Sequence, residues 1–127
     1  DIHVSIVSKR LSPVKSAFAE KEFKAGVVLY NMGFPVPEPI GEIKEGGNTY
    51  FLWRKLERSK SFGFDDPRVG KQIEEIARRL EQSGIKHYDF NDRNFVITNE
   101  RGKPKVYLID LERMQIPSKI VRKYFEK

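Results

Sequence analysis

The chain has 127 residues, enough for one domain with a modest core, and contains no cysteine, which excludes disulfides, thiolate metal sites and cysteine nucleophiles. Charged residues make up 33% of it and the net charge is +6, which indicates either polyanionic partners such as nucleotides or nucleic acid, or only a solvated surface rich in lysine. It has no apolar run of about 18 residues, so we expect no membrane span, and the lack of cysteine fits the cytoplasm.

The first segment predicts a strand followed by a helix. Residues 4–11 are rich in β-branched side chains, which favour a strand, and Ser12 with Pro13 should end it. Residues 16–32 should form a helix that stops at Gly33, because apolar side chains recur there at helical spacing. Those apolar positions are Ala19, Phe23, Val27 and Tyr30.

An extended segment and a β-hairpin should follow this helix. Alternate prolines in residues 34–39 exclude helical backbone. Short strands at 40–44 and 49–53 should be joined by a turn with the sequence EGGN at 45–48. The next stretch is polar and resembles a linker, so the seam between two parts of the chain should lie near residues 55–65.

A second helix should begin beyond this seam. Asp66 is suited to cap the helix, Pro67 is suited to its first turn, and Gly84 should end it. Its apolar stripe consists of Val69, Ile73, Ile76, Ala77 and Leu80.

The end of the chain predicts a second hairpin and a short helix. Strands at 95–98 and 105–109 should be joined by a turn that carries Gly102 and Pro104. Ser118 is a candidate cap for the last helix. The order of elements is strand, helix, hairpin, helix, polar loop, hairpin and helix, which indicates an α+β fold.

Three polar side chains surround the second hairpin, in HYDFNDRNF (residues 87–95) and LID (residues 108–110). A hairpin brings its two ends together, so Asn94 and Asp110 should be neighbours. Their amide and carboxylate oxygens are hard ligands that suit Mg²⁺. Asp89 is set apart from this pair and could accept or orient a hydroxyl proton, so the group fits phosphoryl transfer.

Two of these side chains also have an ordinary structural explanation. Asp89 could be a turn or helix-end residue, and Asn94 could be a turn amide. Asp110 follows an apolar strand, where an unpaired buried carboxylate would be costly, and metal binding explains that position. The spacing of the three residues together favours the chemical role.

The pattern H-x-D-x-x-x-x-N, followed by an apolar strand and Asp, resembles the catalytic and metal-binding loops of the protein-kinase-like superfamily. HYDFNDRNFVI and VYLIDLE are most similar to its small atypical members, namely the lipopolysaccharide (Kdo) kinases, the Bud32 family and the RIO kinases. The resemblance implies ATP and Mg²⁺ as cofactors, with Asp89 as the catalytic base and Asn94 and Asp110 as metal ligands. It gives His87 only a structural role.

The same resemblance implies nucleotide-binding residues in the first half of the chain. A strand lysine that grips the phosphates would be Lys9, and its helix partner would be Glu22, with Glu20 as a competing choice. YFLWRKLE resembles the strand that enters the hinge beside adenine. Candidate cofactor contacts there are Trp53, Lys55 and Leu56. The ordinary explanations are solvated side chains for Lys9 and Glu22 and a core position for Trp53.

The resemblance further implies one truncated, two-lobe kinase-like domain. It would consist of a small antiparallel sheet with one helix, followed by a helical part that carries the catalytic-loop hairpin. The reduced N-lobe would span about 1–54, the hinge 55–57 and the reduced C-lobe 58–127. Only three residues precede Val4, so the glycine-rich loop that covers the phosphates is missing from this sequence. Either the chain is trimmed or it begins inside a larger protein, and we expect weaker nucleotide binding or slower transfer.

Two functions stay open from the sequence. The first is an ATP-dependent phosphotransferase that moves a γ-phosphate to a hydroxyl acceptor, either serine or threonine in a protein or a sugar-like small molecule. The second is a weak or inactive kinase-like module that binds a nucleotide, RNA or an acidic protein. Its candidate surface is the segment 113–127, which has five basic residues and one acidic residue, a net charge of +4.

Overall fold

The computed structural model describes residues 6–10, 13–87 and 91–125, with the side chains of residues 19–87, 91–111 and 113–125. The described α-helices are α1 (Pro13–Asn31), α2 (Pro67–Gln82) and α3 (Ser118–Phe125). The strands are β1 (Ile6–Arg10), β2 (Pro39–Glu45), β3 (Asn48–Arg54), β4 (Lys86–His87), β5 (Phe95–Glu100), β6 (Lys103–Leu108) and β7 (Met114–Gln115). This order confirms the α+β fold that the sequence predicted.

The first half of the chain forms an antiparallel sheet in the order β1-β3-β2. Glu45 pairs with Asn48, so Gly46 and Gly47 form a two-residue turn, with φ values of +56° and +77°. A hairpin turn with positive φ at both positions favours glycine or asparagine, which explains this sequence. The predicted hairpin is confirmed, with each strand one residue longer at both ends than expected.

Helix α1 packs against the sheet through an aromatic cluster. The ring of Phe23 lies 5.1 Å from that of Phe51 and 5.5 Å from that of Trp53, measured between centroids. The predicted apolar stripe of α1 is partly wrong, because Tyr30 is 42% exposed. Helix α1 also contacts the second half of the chain, so its buried positions spread around the helix. They include Ala25, Val28 and Leu29.

Helix α2 begins and ends where the sequence predicted. The side chain of Asp66 accepts a 2.8 Å hydrogen bond from the backbone amide of Arg68, and Pro67 is the first helical residue. Gly84 follows the helix with a φ of +71°. Burial of one stripe of α2 against the main core holds it beside the second hairpin. The fully buried members of that stripe are Val69, Ile76 and Leu80.

The second hairpin, β5–β6, is paired from Phe95 and Leu108 to Glu100 and Lys103. Its turn is therefore Arg101 with Gly102, whose φ values are 57° and 80°. The expectation that Pro104 belongs to the turn is wrong. Pro104 is a buried residue of β6 opposite Asn99, on the outer edge of the hairpin, where a strand tolerates the missing proline amide.

Hydrogen bonds from outside the hairpin cover both of its edges. The side chain of Gln72 donates to the carbonyl of Pro104 and accepts from the amide of Val106, both at 2.8 Å. The amide of Leu108 donates to the carbonyl of Pro35, and the amide of Ser59 donates to the carbonyl of Ile97. These bonds fix the hairpin against α2 and the segments around it.

The end of the described chain folds back on the rest. Strands β4 and β7 form a short antiparallel pair that the sequence did not predict. Helix α3 starts at Ser118, and the carbonyl of Pro117 accepts the amide of Val121, so Pro117 and not Ser118 occupies the cap position. The side-chain amide of Asn31 in α1 donates a 2.6 Å hydrogen bond to the carbonyl of Tyr124. Among the described helices, none has the length and apolar composition needed to cross a bilayer.

Candidate functional site

A cavity of about 310 Å³ lies where helix α1, the end of β3 and the second hairpin meet. Five of the candidate residues from the sequence lie on its wall. These are Glu22, Trp53, Lys55, Leu56 and Asp110. They come from three separate parts of the chain, so the fold brings together residues that are distant in the sequence.

The wall also contains residues that the sequence analysis missed. They are Pro37, Arg54, Val96, Ile109 and Leu111. Most of them lie next to a residue that the sequence did single out, since Arg54 precedes Lys55 and two others flank Asp110. Position beside a candidate residue was therefore the signal that could have identified them.

The inner wall of the cavity is apolar and its rim is charged. Val96 and Leu111 are buried, Glu22 is half-buried, and Lys55 and Asp110 are exposed. An apolar slot with a few charged groups at its edge suits a flat, largely apolar ring that carries an anionic group.

Trp53 has mainly a packing role at this site. It is 8% exposed and belongs to the cluster with Phe23 and Phe51, so only part of its indole reaches the cavity. The core position that the sequence offered for Trp53 is observed, and its role as a cofactor contact stays a prediction.

The segment that carries Lys55 and Leu56 is held at both ends. The backbone amide of Arg54 donates a 2.9 Å hydrogen bond to the carbonyl of Glu38, and that of Ser59 donates a 2.8 Å bond to the carbonyl of Ile97. The side chains of Arg54 and Glu38 form an exposed ion pair at 3.7 Å, which contributes little stability but orients Arg54 at the rim.

Asn94 lies in a 3₁₀ turn, Asp92–Asn94, just before β5, and its side chain is held by the loop itself. Its amide oxygen Oδ1 accepts a 2.7 Å hydrogen bond from the backbone amide of Asn91. The side chain of Asn91 in turn accepts one from the amide of Arg93 at 2.8 Å. An amide oxygen has two lone pairs, so Oδ1 of Asn94 retains the capacity to bind a cation.

Asp110 has left-handed backbone conformation, with a φ of 57° and a ψ of 61°. Few residues other than glycine adopt this conformation, although aspartate and asparagine tolerate it best. The bend places Asp110 on the cavity while the next residue, Leu111, is 3% exposed. Such local strain is frequent at functional sites. Asp110 is exposed, so the cost of a buried carboxylate, from which the sequence argued for a metal here, does not arise.

The other candidate residues are only partly described. Asp89 lies outside the described residues. The backbone of Lys9 is in β1 opposite Phe51, and its side chain lies outside the described part. The structure does separate the two candidate glutamates of α1, because Glu22 lies on the cavity and Glu20 is exposed and is not on its wall.

The two candidate metal ligands have oxygen donors of the kind that Mg²⁺ prefers, although Asn94 is 5% exposed and is not on the cavity wall that carries Asp110. In the part of the chain that the structure describes, histidine, aspartate and glutamate side chains form no cluster of three that would bind a metal alone. Asn94 and Asp110 would offer an amide oxygen and a carboxylate. Mg²⁺ usually completes its octahedron with water and phosphate oxygens, so two protein ligands are sufficient.

Known proteins resemble this chain in sequence and in fold. The model of the lipopolysaccharide kinase (Kdo/WaaP) family matches residues 65–125, which include the whole HYDFNDRNF and LID stretch. A 3-deoxy-D-manno-octulosonic acid kinase from Mannheimia succiniciproducens is 31% identical over 96 residues, 67% of this chain and 40% of the relative.

A solved structure agrees with the sequence relatives. The Rio2 kinase–ADP/Mg²⁺–phosphoaspartate complex from Chaetomium thermophilum superposes with a TM-score of 0.60 and 25% identity, over 86% of this chain and 34% of that one. This chain belongs to the protein-kinase-like superfamily. The superfamily assignment confirms the resemblance read from the sequence and the truncated kinase-like fold. The chain spans 40% of the length of the curated kinase it matches.

Proposed function

We propose that this chain carries the nucleotide and metal site of an ATP-dependent phosphotransferase. The observation that supports this most is the meeting of Glu22, the segment after β3 and Asp110 around one cavity. The similarity to kinases in sequence and fold supports phosphoryl transfer as the general class of chemistry.

The adenine ring would lie in the apolar part of the cavity, against Val96 and Ile109. Its edge would hydrogen-bond the backbone of residues 55–57, the proposed hinge between lobes at about 1–54 and 58–127. Bonds at Arg54 and Ser59 fix the two ends of this segment, so its conformation is set before a nucleotide binds.

The charged residues would act on the phosphates and on the acceptor. Asn94 and Asp110 would hold Mg²⁺, which when bound neutralises charge that develops on the β- and γ-phosphates. Lys9, braced by Glu22, would hold the phosphates. Asp89 would orient the acceptor hydroxyl and accept its proton.

The acceptor would be a hydroxyl group on a small molecule or on a protein. The matched relative is a kinase of 3-deoxy-D-manno-octulosonic acid, a sugar acid, and this favours a sugar hydroxyl over serine or threonine. A cytoplasmic location stays a prediction from the sequence.

Nucleotide titration calorimetry of the wild type, with and without Mg²⁺, tests the proposal. We expect Asp110→Asn, which removes the charge but keeps an amide oxygen, to weaken the contribution of Mg²⁺ to ATP affinity, and Glu22→Gln to weaken ATP affinity. The matched control is Glu20→Gln, an exposed glutamate on the same helix but off the cavity. Binding that is equal for Asp110→Asn and the wild type would exclude the metal role of Asp110.

A second candidate function, a binding module without catalysis, is supported by the charge around α3. Lys119, Arg122 and Lys123 are exposed on α3. Lys21 and Lys24 of α1 line a cleft of about 110 Å³ with Val121 of α3, and the ammonium of Lys24 lies 5.0 Å from the ring centroid of Phe125. An acidic protein or RNA would bind this surface. RNA affinity that falls steeply with salt, without any nucleotide effect, would favour this function over the first.

A further inference from the structure

Gly26 of helix α1 lies beside two residues of the cavity wall. This glycine is buried, and a Cβ atom placed on it would lie 3.4 Å from Nε1 of Trp53 and 3.6 Å from Cδ1 of Leu111. These are ordinary contact distances for a methyl group, so alanine would fit, whereas the further atoms of a larger side chain would have to find room beside the indole and Leu111.

The contact of Gly26 with Trp53 and Leu111 joins the three elements that carry the candidate site. Glu22 is one helical turn before Gly26, so the two residues share a face of α1. Trp53 lies on the cavity near the end of β3, and Leu111 directly follows Asp110. A displacement at Gly26 would therefore reach both the helix glutamate and the metal-binding aspartate.

The indole of Trp53 lies in an aromatic cluster between Phe23 of α1 and Phe51 of β3. Its ring packs edge-on against Phe23 at 5.5 Å and lies 6.4 Å from Phe51, and Trp53 is only 8% exposed. Leu111 is 3% exposed. A larger side chain at position 26 would thus have to push α1 or the segment of Leu111 outward.

We propose that Gly26 is a positioning residue of the candidate site. A side chain no larger than a methyl group at position 26 lets α1 pack against Trp53 and Leu111, and this packing holds Glu22 and Asp110 around the same cavity. The inference rests on the proposed function for its effect on nucleotide binding, and its effect on the Asp110 segment can be measured without a nucleotide.

Helix α2 provides a matched control. Gly70 lies in α2, and a Cβ atom placed on it meets no heavy atom within 4 Å. Gly26→Val and Gly70→Val therefore make the same chemical change in a helix, and only the first places atoms against the cavity wall.

Two readouts separate positioning from general stability. Amide hydrogen exchange at Ile109 reports on the segment of Asp110, because this amide is bonded to the carbonyl of Asn94. The emission of Trp53, the only tryptophan of the chain, reports on the contact itself. We expect faster exchange at Ile109, a shifted emission and at least about tenfold weaker Mg²⁺–ATP binding for Gly26→Val, with near wild-type values for Gly26→Ala and Gly70→Val.

A size swap keeps the test decisive if Gly26→Val fails to fold. Trp53→Leu in the Gly26→Val background returns space beside position 26, so it should raise the melting temperature above that of Gly26→Val alone. No recovery in this double variant would overturn the proposal, as would unchanged exchange at Ile109 in a folded Gly26→Val. If the wild type binds no nucleotide, the proposed function fails, while the exchange and the size swap still decide the role of Gly26.

Discussion

The backbone amide of Ile109 donates a 2.7 Å hydrogen bond to the carbonyl oxygen of Asn94. This bond extends the β5–β6 ladder beyond its last paired residues, Phe95 and Leu108. It places Asn94 beside the residue that precedes Asp110, at the open end of the hairpin. The two proposed metal ligands are thus tied together through the backbone.

Asn94 should contribute to stability as well as to binding. Asn94→Ala removes the acceptor of the Asn91 amide and should cost about 1–2 kcal/mol, typical of a lost cap. Asn94→Asp retains an oxygen for that amide and for a cation, so it should retain most of the stability and Mg²⁺-dependent ATP binding. Urea denaturation and calorimetry measure the two effects. Equal losses in both variants would show that the side-chain oxygen does not act in this way.

Asp110 allows backbone strain to be separated from charge. Asparagine tolerates left-handed backbone, so Asp110→Asn should leave the free energy of unfolding nearly unchanged, whereas Asp110→Ala should lower it by about 1 kcal/mol. Both variants should lose Mg²⁺-dependent ATP affinity. Arg101→Asn is the control, because Arg101 has the same φ of 57° in the remote hairpin turn. It should increase stability and leave ATP affinity unchanged.

Gln72 should be important for stability because its side-chain amide makes the hydrogen bonds with β6 that a neighbouring strand would make. Gln72→Leu leaves the carbonyl of Pro104 and the amide of Val106 without their partner and should cost about 1–3 kcal/mol. Chemical denaturation measures this loss. Glu74→Leu, an exposed position on the same helix, is the control and should change stability little. A loss as small as that of the control would mean that water replaces Gln72.

Glu100 should make stability depend on acidity. Burial tends to raise the pKa of its carboxyl, but hydrogen bonds from the hydroxyls of Tyr107 at 2.7 Å and Thr98 at 2.9 Å outweigh this and lower the pKa below the usual 4.5. A lowered folded-state pKa adds stability above pH 4.5, and this stability is lost as the pH falls through the folded-state value.

Tyr107→Phe removes one of these hydrogen bonds. The stability difference between the wild type and this variant should therefore be largest near neutral pH and shrink below pH 4.5, in thermal melts across that range. Tyr50→Phe is the control, since the structure describes no hydrogen bond for the Tyr50 hydroxyl. A difference that stays constant with pH would rule out the carboxylate of Glu100 as the partner that matters.

Local signals predicted those elements whose conformation depends on neighbouring residues. Asp66 with Pro67 located the start of α2, and the glycine pair at 46 and 47 located the first hairpin turn. Pro104 was assigned to the wrong place because proline marks turns but also fits the outer edge of a strand. Tyr30 was wrongly assigned to the core because the prediction assumed one apolar stripe, whereas α1 packs on two sides.

The residues of the candidate site also divide into those that local sequence identified and those that only the packing revealed. Glu22 and Glu20 are equivalent as residues of a helix surface, and only the packing of α1 showed which one lies on the cavity. Pro37 and Val96 adjoin no candidate residue, so only the packing of the segment after β3 beside the hairpin showed that they line the cavity. The pair β4–β7 was missed because strands of two residues have almost no sequence signal of their own.

The sequence by itself determined the superfamily pattern, the hairpin that joins Asn94 to Asp110 and the limits of α2, because spacing, turn residues and caps act over a few residues. Only the tertiary structure decided which surfaces of α1, β3 and the hairpin enclose a cavity and how closely α1 approaches it at Gly26. Contacts between distant segments depend on the volumes and directions of side chains from both partners, and no short stretch of sequence contains both.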